Sequence, residues 1–335
     1  MRTRKMTGVL AAAAVAAMVA HAPVAGAQGP QEINFGIIST ESSQALKKGF
    51  EPFLEDMAKA IGMKVNAFFA SDYAGVIEAM RFNKVHVAWF GNKSAMEAVD
   101  RAGGEVFAQT VDKDGNPGYW SLLITHKDSG IKTLDDVIKN PGKFTFGNGD
   151  PNSTSGFLVP SYYVFAVNKI DPKTHFKLVR NANHETNALA VVNRQVDLAT
   201  NNTEQMSLLQ ARSPEKANQV HIVWKSPLIP NDPLVWRKDL PDGLKAKIKT
   251  FVLDYGVKGP NVERERQVLA GMSAGWAPFK DSSDAQLVPI RQLTLFKDRT
   301  KIESDERMPE AEKKAKLAEI DDKLAQLQKQ ITSAK

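Results

Sequence analysis

The chain has 335 residues, 42% hydrophobic and 24% charged, with a formal charge of +6 and no cysteine. That length supports one large or two medium globular domains with a sizeable core. The absence of thiols excludes disulfides, thiolate metal sites and a lipid-anchored cysteine, and the charge is too mild to argue for nucleic acid once the leader is set aside.

The leader comes first. Arg2, Arg4 and Lys5 make a basic start, Met6 to Ala20 an apolar run, and Ala25-Gly26-Ala27 the small-residue pattern of a signal-peptidase site. Cleavage after Ala27 is expected, which removes residues 1–27 and lowers the formal charge from +6 to +3. The competing reading is a retained anchor, although no stop-transfer flank follows the run. No later stretch reaches the roughly 18 consecutive apolar residues of a membrane span.

From Ile33 onward short apolar runs alternate with helical patterns. Strands are expected at Ile33 to Ser39, Val65 to Ala70 and Val85 to Phe90. Helices are expected at Gln44 to Ile61, with Leu46, Phe50, Phe53, Leu54 and Met57 on one face, and at Tyr73 to Asn83. The alternation continues through Trp120 to His126, Phe144 to Gly147, Ser155 to Val167, Glu185 to Asn193 and His221 to Ser226, an α/β chain with mainly parallel sheets. The tail from Met308 is rich in Ala, Glu, Lys and Leu. Leu317, Ile320, Leu324, Leu327 and Ile331 give it a short heptad seam that predicts either packing on its own domain or a homodimer.

The most informative segment is Phe146-Gly-Asn-Gly-Asp-Pro-Asn-Ser-Thr-Ser-Gly156, where a strand ends, a turn-rich loop follows and a helix opens. Free backbone N–H groups and the positive end of the helix dipole meet there, with Ser153, Thr154 and Ser155 adding hydroxyls and Gly156 opening the backbone to an oxyanion. On these residues alone the loop is either an anion site or an ordinary N-cap.

The blocks Asn34-Phe-Gly-Ile-Ile-Ser-Thr-Glu-Ser, Asp72-Tyr-Ala-Gly, Arg81-Phe-Asn-Lys-Val, Gly118-Tyr-Trp, Gly147-Asn-Gly-Asp-Pro-Asn-Ser-Thr-Ser-Gly, His184-Glu-Thr-Asn-Ala-Leu-Ala, Ala199-Thr-Asn-Asn-Thr-Glu and Lys225-Ser-Pro-Leu-Ile-Pro-Asn-Asp-Pro-Leu-Val-Trp-Arg-Lys resemble the periplasmic phosphonate-binding proteins of phosphonate ABC transporters. The likeness runs from about Ile33 to Phe296. It implies a two-lobed type II periplasmic-binding-protein fold with the ligand between lobes formed by 28–119 with 230–300 and by 120–229. The C-terminal segment matches the family poorly, and its composition adds a C-terminal helix as an extension at 301–335. The likeness also implies that Ser153, Thr154, Ser155, Tyr73, Tyr119 and His184 hold the phosphonate, and that Glu204 and Asp232 meet a ligand ammonium. A neutral His184 offers one N–H, and a neighbouring dianion would favour its charged form.

An anion pole facing two carboxylates describes a zwitterion such as 2-aminoethylphosphonate. The implied partners are that small molecule and an inner-membrane permease, with no cofactor, metal, nucleic acid or catalysis. Phosphite, phosphate or plain alkylphosphonates are the rival ligands, which two carboxylates disfavour. A hydrolase built on Ser155, His184 and Asp232 would have an unfamiliar triad order and no G-x-S-x-G elbow. The pattern departs from the family at Ser71, where proline is familiar, and at Phe90, where tyrosine is an alternative and packing is expected.

Overall fold

The computed structural model describes residues 29–333, with side chains through Lys329; the leader and the side chain of Ile331 lie outside the described residues. In chain order the strands are β1 (Glu32–Ile37), β2 (Lys64–Phe69), β3 (Val87–Trp89), β4 (Gly104–Asp112), β5 (Gly118–Tyr119), β6 (Ser121–His126), β7 (Thr145–Asn148), β8 (Leu178–Asn181), β9 (Leu198–Asn202), β10 (Val220–Lys225), β11 (Ile229–Pro230), β12 (Pro233–Arg237) and β13 (Trp276–Asp281). Two sheets carry two lobes, in the orders β2-β1-β3-β12-β4-β13 and β8-β7-β9-β6-β10, and the short ribbon β5-β11 lies between them.

The two sheets share one plan, and it corrects the expectation of mainly parallel pairing. Among the described strands, β1 pairs in parallel with β2 and β3, and β7 with β8 and β9. The other pairings are antiparallel. The reversals follow from the route of the chain. β12 and β6 each enter directly from the ribbon and lie antiparallel beside β3 and β9. Apolar alternation announces strands but carries no sign of their direction.

Of the helices, α1 (Ser43–Ile61), α2 (Tyr73–Arg81) and α3 (Asn92–Arg101) belong to the first lobe, and α4 (His184–Val192) and α5 (Thr203–Arg212) to the second. The chain from Thr154 to Ala166 forms π-helical turns instead of a plain α-helix. All five apolar residues expected on the face of α1 are buried. Phe50 stacks on Trp89 at 5.5 Å, and Trp276 meets both rings edge-on, which fixes the end of β3 in the core. The second sheet is covered on both faces: Leu123 joins Phe146, Phe165 and Phe176, while Leu122 and Ile124 join Ala188 and Val191.

The tail forms α6 (Val288–Glu303) and α7 (Glu310–Ser333). Arg299 Nε donates to Asp321 at 2.8 Å and Gln292 to Gln328 at 3.4 Å, so the two helices run antiparallel as a hairpin. Ile320 is buried and Leu317, Leu324 and Leu327 are half-buried, so the heptad seam finds α6 of its own chain as a partner. Ile320→Asp should therefore release α7: hydrogen exchange should rise over 310–329 and stay unchanged in the two sheets. Unchanged protection of α7 would contradict this packing.

Candidate functional site

The site forms where strands end and helices begin. In open α/β sheets the carboxyl ends of the strands bound the ligand crevice, and here the N-termini of α2, α3, α4, α5 and the π-helical segment all reach one cavity. Tyr73, Tyr119, Ser153, Thr154, Ser155, His184, Glu204 and Asp232 all line it, so the eight side chains expected at the ligand are brought together. Ile38, Thr40, Trp89, Gly91, Asn202, Gln205, Leu208 and Ser273 complete the wall. The lobes meet around it, joined across the cleft by Thr154 with Lys93 and by Asp150 with Tyr73.

At one pole the hydroxyl oxygens are used as acceptors. Ser153 caps its own helix by accepting the Gly156 N–H at 2.9 Å. Ser155 Oγ accepts from Asn202 Nδ2 at 3.2 Å. Thr154 Oγ1 reaches across the cleft to accept the Lys93 N–H at 2.8 Å. That bond caps α3, whose N-cap Gly91 has no side chain to do so. Asp150 caps α2 in the same way, accepting the Tyr73 N–H at 3.1 Å. A hydroxyl that accepts through oxygen keeps its proton to donate, so the neighbours orient these groups as donors.

Gly156 serves differently from the expectation. Its N–H is taken by Ser153, and a Cβ there would sit 3.1 Å from His184 Cε1, so glycine makes room for the imidazole. Gly149 is pressed still harder: a Cβ would lie 2.4 Å from the Gly156 carbonyl oxygen. His184 Nε2 lies 3.4 Å from Ser153 Oγ, while Nδ1 is buried without a partner. Burial pulls the imidazole pKa down to about 4, so it is neutral here. Burial, then the charges of Asp150 and Asp232, push the Tyr73 phenol well up, and it too remains a donor.

The other pole is acidic. Tyr119, expected with the phosphonate donors, instead gives its Oη proton to Asp232 Oδ1 at 2.9 Å. Burial pushes Asp232 up to about 7 against the stabilising Tyr119 hydroxyl and the nearby Trp89 indole. The indole N–H favours the carboxylate electrostatically but makes no hydrogen bond with acceptable geometry. Glu204, half-buried in the first turn of α5, is raised well above its ordinary value by burial, then by Asp232 and Asp112. Two enclosed carboxyls resist ionising together, and a cation between them would remove that resistance. The hydrolytic triad does not assemble: His184 pairs with Ser153, its Nδ1 meets no acid, and Asp232 is held by Tyr119.

Phe90 is fully buried in the core and Ser71 is exposed, so neither departure touches the cavity wall. Thr40, Trp89 and Gly91 were missed. Gly91 follows β3 and opens α3, the same strand-loop-helix signal as 147–156, and could have been found that way.

A family of ABC-transporter phosphonate periplasmic substrate-binding proteins matches residues 35–287. The chain belongs to this family. It is 57% identical over 305 residues to the phosphonates-binding periplasmic protein of Escherichia coli, covering 91% of this chain and 88% of that one. A crystal structure of a binding-protein component of an ABC phosphonate transporter from Pseudomonas aeruginosa matches with a TM-score of 0.87 and 56% identity, over 92% of this chain and 99% of that one. A phosphate-import protein from Mycolicibacterium smegmatis is 30% identical, over 68% of this chain and 74% of that one. This protein is thus a phosphonate-binding component of an ABC transporter, a substrate-binding protein and not an enzyme, from a family described as periplasmic. Among the described residues no helix is long and apolar enough to cross a membrane.

Both acidic-pole carboxyls sit above their unfolded values, near 4. Their favourable contribution is therefore present below about pH 4 and is lost as pH rises through the folded value, about 7 for Asp232. Asp232→Asn should raise the melting temperature of the ligand-free protein by about 3 °C or more at pH 8 and leave it nearly unchanged at pH 4. An equal effect at both values would contradict a strained buried acid.

Proposed function

We propose that the protein captures a zwitterionic phosphonate, most simply 2-aminoethylphosphonate, and delivers it to an inner-membrane permease. The observation that carries this reading is the polarity of one cavity, with hydroxyl and imidazole donors at one pole and the Glu204–Asp232 pair at the other. Thr154, Ser155, Tyr73 and the Nδ1–H tautomer of His184 donate to the phosphonyl oxygens, Ser153 holds that tautomer by donating to His184 Nε2, and Tyr119 orients Asp232 toward the ammonium. Charge-assisted bonds at both ends are each worth about 1.5–3 kcal/mol. The ligand ammonium lets both carboxyls ionise, so capture at that pole releases protons.

Closure follows from the same contacts. The lobes, 28–119 with 230–300 and 120–229, pivot on the β5-β11 ribbon, and a ligand touching both favours the shut form that the permease reads. Export with loss of residues 1–27 places the carrier in the periplasm. The extension at 301–335 is proposed as an intramolecular strap, since α6 already occupies the seam that would serve a homodimer. Phosphate, phosphite and plain alkylphosphonates satisfy the donor pole and leave the carboxyl pair unmatched.

Two substitutions separate the poles. Thr154→Ala should weaken aminated and plain alkylphosphonates alike, by about tenfold or more. Glu204→Gln should weaken the aminated ligand by about ten- to a hundredfold and leave ethylphosphonate unchanged or slightly tighter. Equal losses for both ligands in Glu204→Gln would overturn the zwitterion reading.

A further inference from the structure

Thr40 lies in the loop after β1 and lines the cavity from the lobe opposite His184. This loop is pinned to the start of α4 and the end of α5 by three contacts across the cleft. The Glu185 N–H donates to the Thr40 carbonyl at 3.2 Å, the Ser42 N–H donates to Glu185 Oε2 at 2.8 Å, and Arg212 pairs with the buried Glu41. The Thr40 N–H is also used, bonding the Ile38 carbonyl at 2.9 Å. Its hydroxyl is left over: Oγ1 is buried and has no hydrogen-bond partner.

His184, at the first position of α4 beside Glu185, has an equally buried and unpartnered Nδ1. Two orphaned polar atoms thus meet the same cavity from opposite lobes, next to the backbone bond that joins them. Buried polar groups in folded proteins are nearly always satisfied, and a buried orphan calls for a partner that arrives with the function.

We propose that Thr40 is a further ligand-contacting residue, whose hydroxyl donates to a phosphonyl oxygen from the first lobe while His184 donates from the second. It builds on the zwitterion-carrier reading above, but only on its anion pole. The Thr40 contact forms as the lobes shut, because the loop bearing it is held in place by the closing contacts of Ser42, Glu185 and Arg212. It therefore serves retention of any ligand with this oxygen-rich head group and is indifferent to the amine.

The test is calorimetric titration of the mature protein and of Thr40→Val and Thr40→Ser with 2-aminoethylphosphonate and ethylphosphonate. Valine keeps the shape and removes the hydroxyl, whereas serine keeps the hydroxyl. Thr40→Val should raise Kd about tenfold for both ligands, with a ligand-free melting temperature equal to or above that of the parent, since an unsatisfied polar atom has been removed. Thr40→Ser should stay within about threefold of the parent. Unchanged Kd in Thr40→Val would overturn the proposal, as would equal weakening by valine and serine. If the valine variant does not fold, Thr40→Ala carries the same comparison. Absence of binding by the parent would refute the underlying carrier reading instead, which keeps the two failures distinct.

Discussion

Thr154 Oγ1 accepts the Lys93 N–H across the cleft, and the geometry of the donor pole depends on that bond. A helix start leaves N–H groups without partners, and α3 begins at a glycine that cannot cap it. The missing acceptor comes from the other lobe, in the loop whose remaining hydroxyls form the same pole. Asp150 does likewise for Tyr73 at the start of α2. Closing the lobes therefore satisfies two helix termini and, in the same movement, fixes which way the hydroxyl protons point. In the proposed reading, the ligand head group and the closed state are served by one set of atoms.

The acidic pole works by the opposite principle. Among the described residues, only the Tyr119 hydroxyl and the electrostatic help of the Trp89 indole offset the burial of Asp232, so the acidic pair holds protons that ordinary carboxyls would lose. An unfilled demand for positive charge at a fixed distance from a set of anion donors is a description of a ligand. Trp89 packs against Phe50 and Trp276 in the aromatic core, which ties the acidic wall to the packed interior of the first lobe.

Much of this was legible in the sequence, for particular physical reasons. The loop at 147–156 announces itself because strand, turn residues, hydroxyls and helix must follow one another in chain order to make an anion site. The apolar face of α1 is legible because its period is local. Glu204 and Asp232 are not legible by pattern alone, since an acid in a polar loop looks like any surface acid until the fold encloses it; family likeness supplied them. Strand direction was misjudged because β6 and β12 take theirs from a crossover between lobes. Thr40 and the trans-capping by Thr154 were invisible, because each becomes meaningful only when two distant segments meet. The seam of α7 left two partners open, and the structure shows contacts with α6, its neighbour along the chain.

The central claim is that one closed cavity recognises both ends of a zwitterion. Calorimetric titration of the chain from Gln28 onward, freed of ligand, with 2-aminoethylphosphonate, ethylphosphonate and phosphate tests it most directly. The account predicts that the aminated compound binds at least about tenfold more tightly than ethylphosphonate, with phosphate weaker still. Equal affinity for all three, or preference for phosphate, would contradict it.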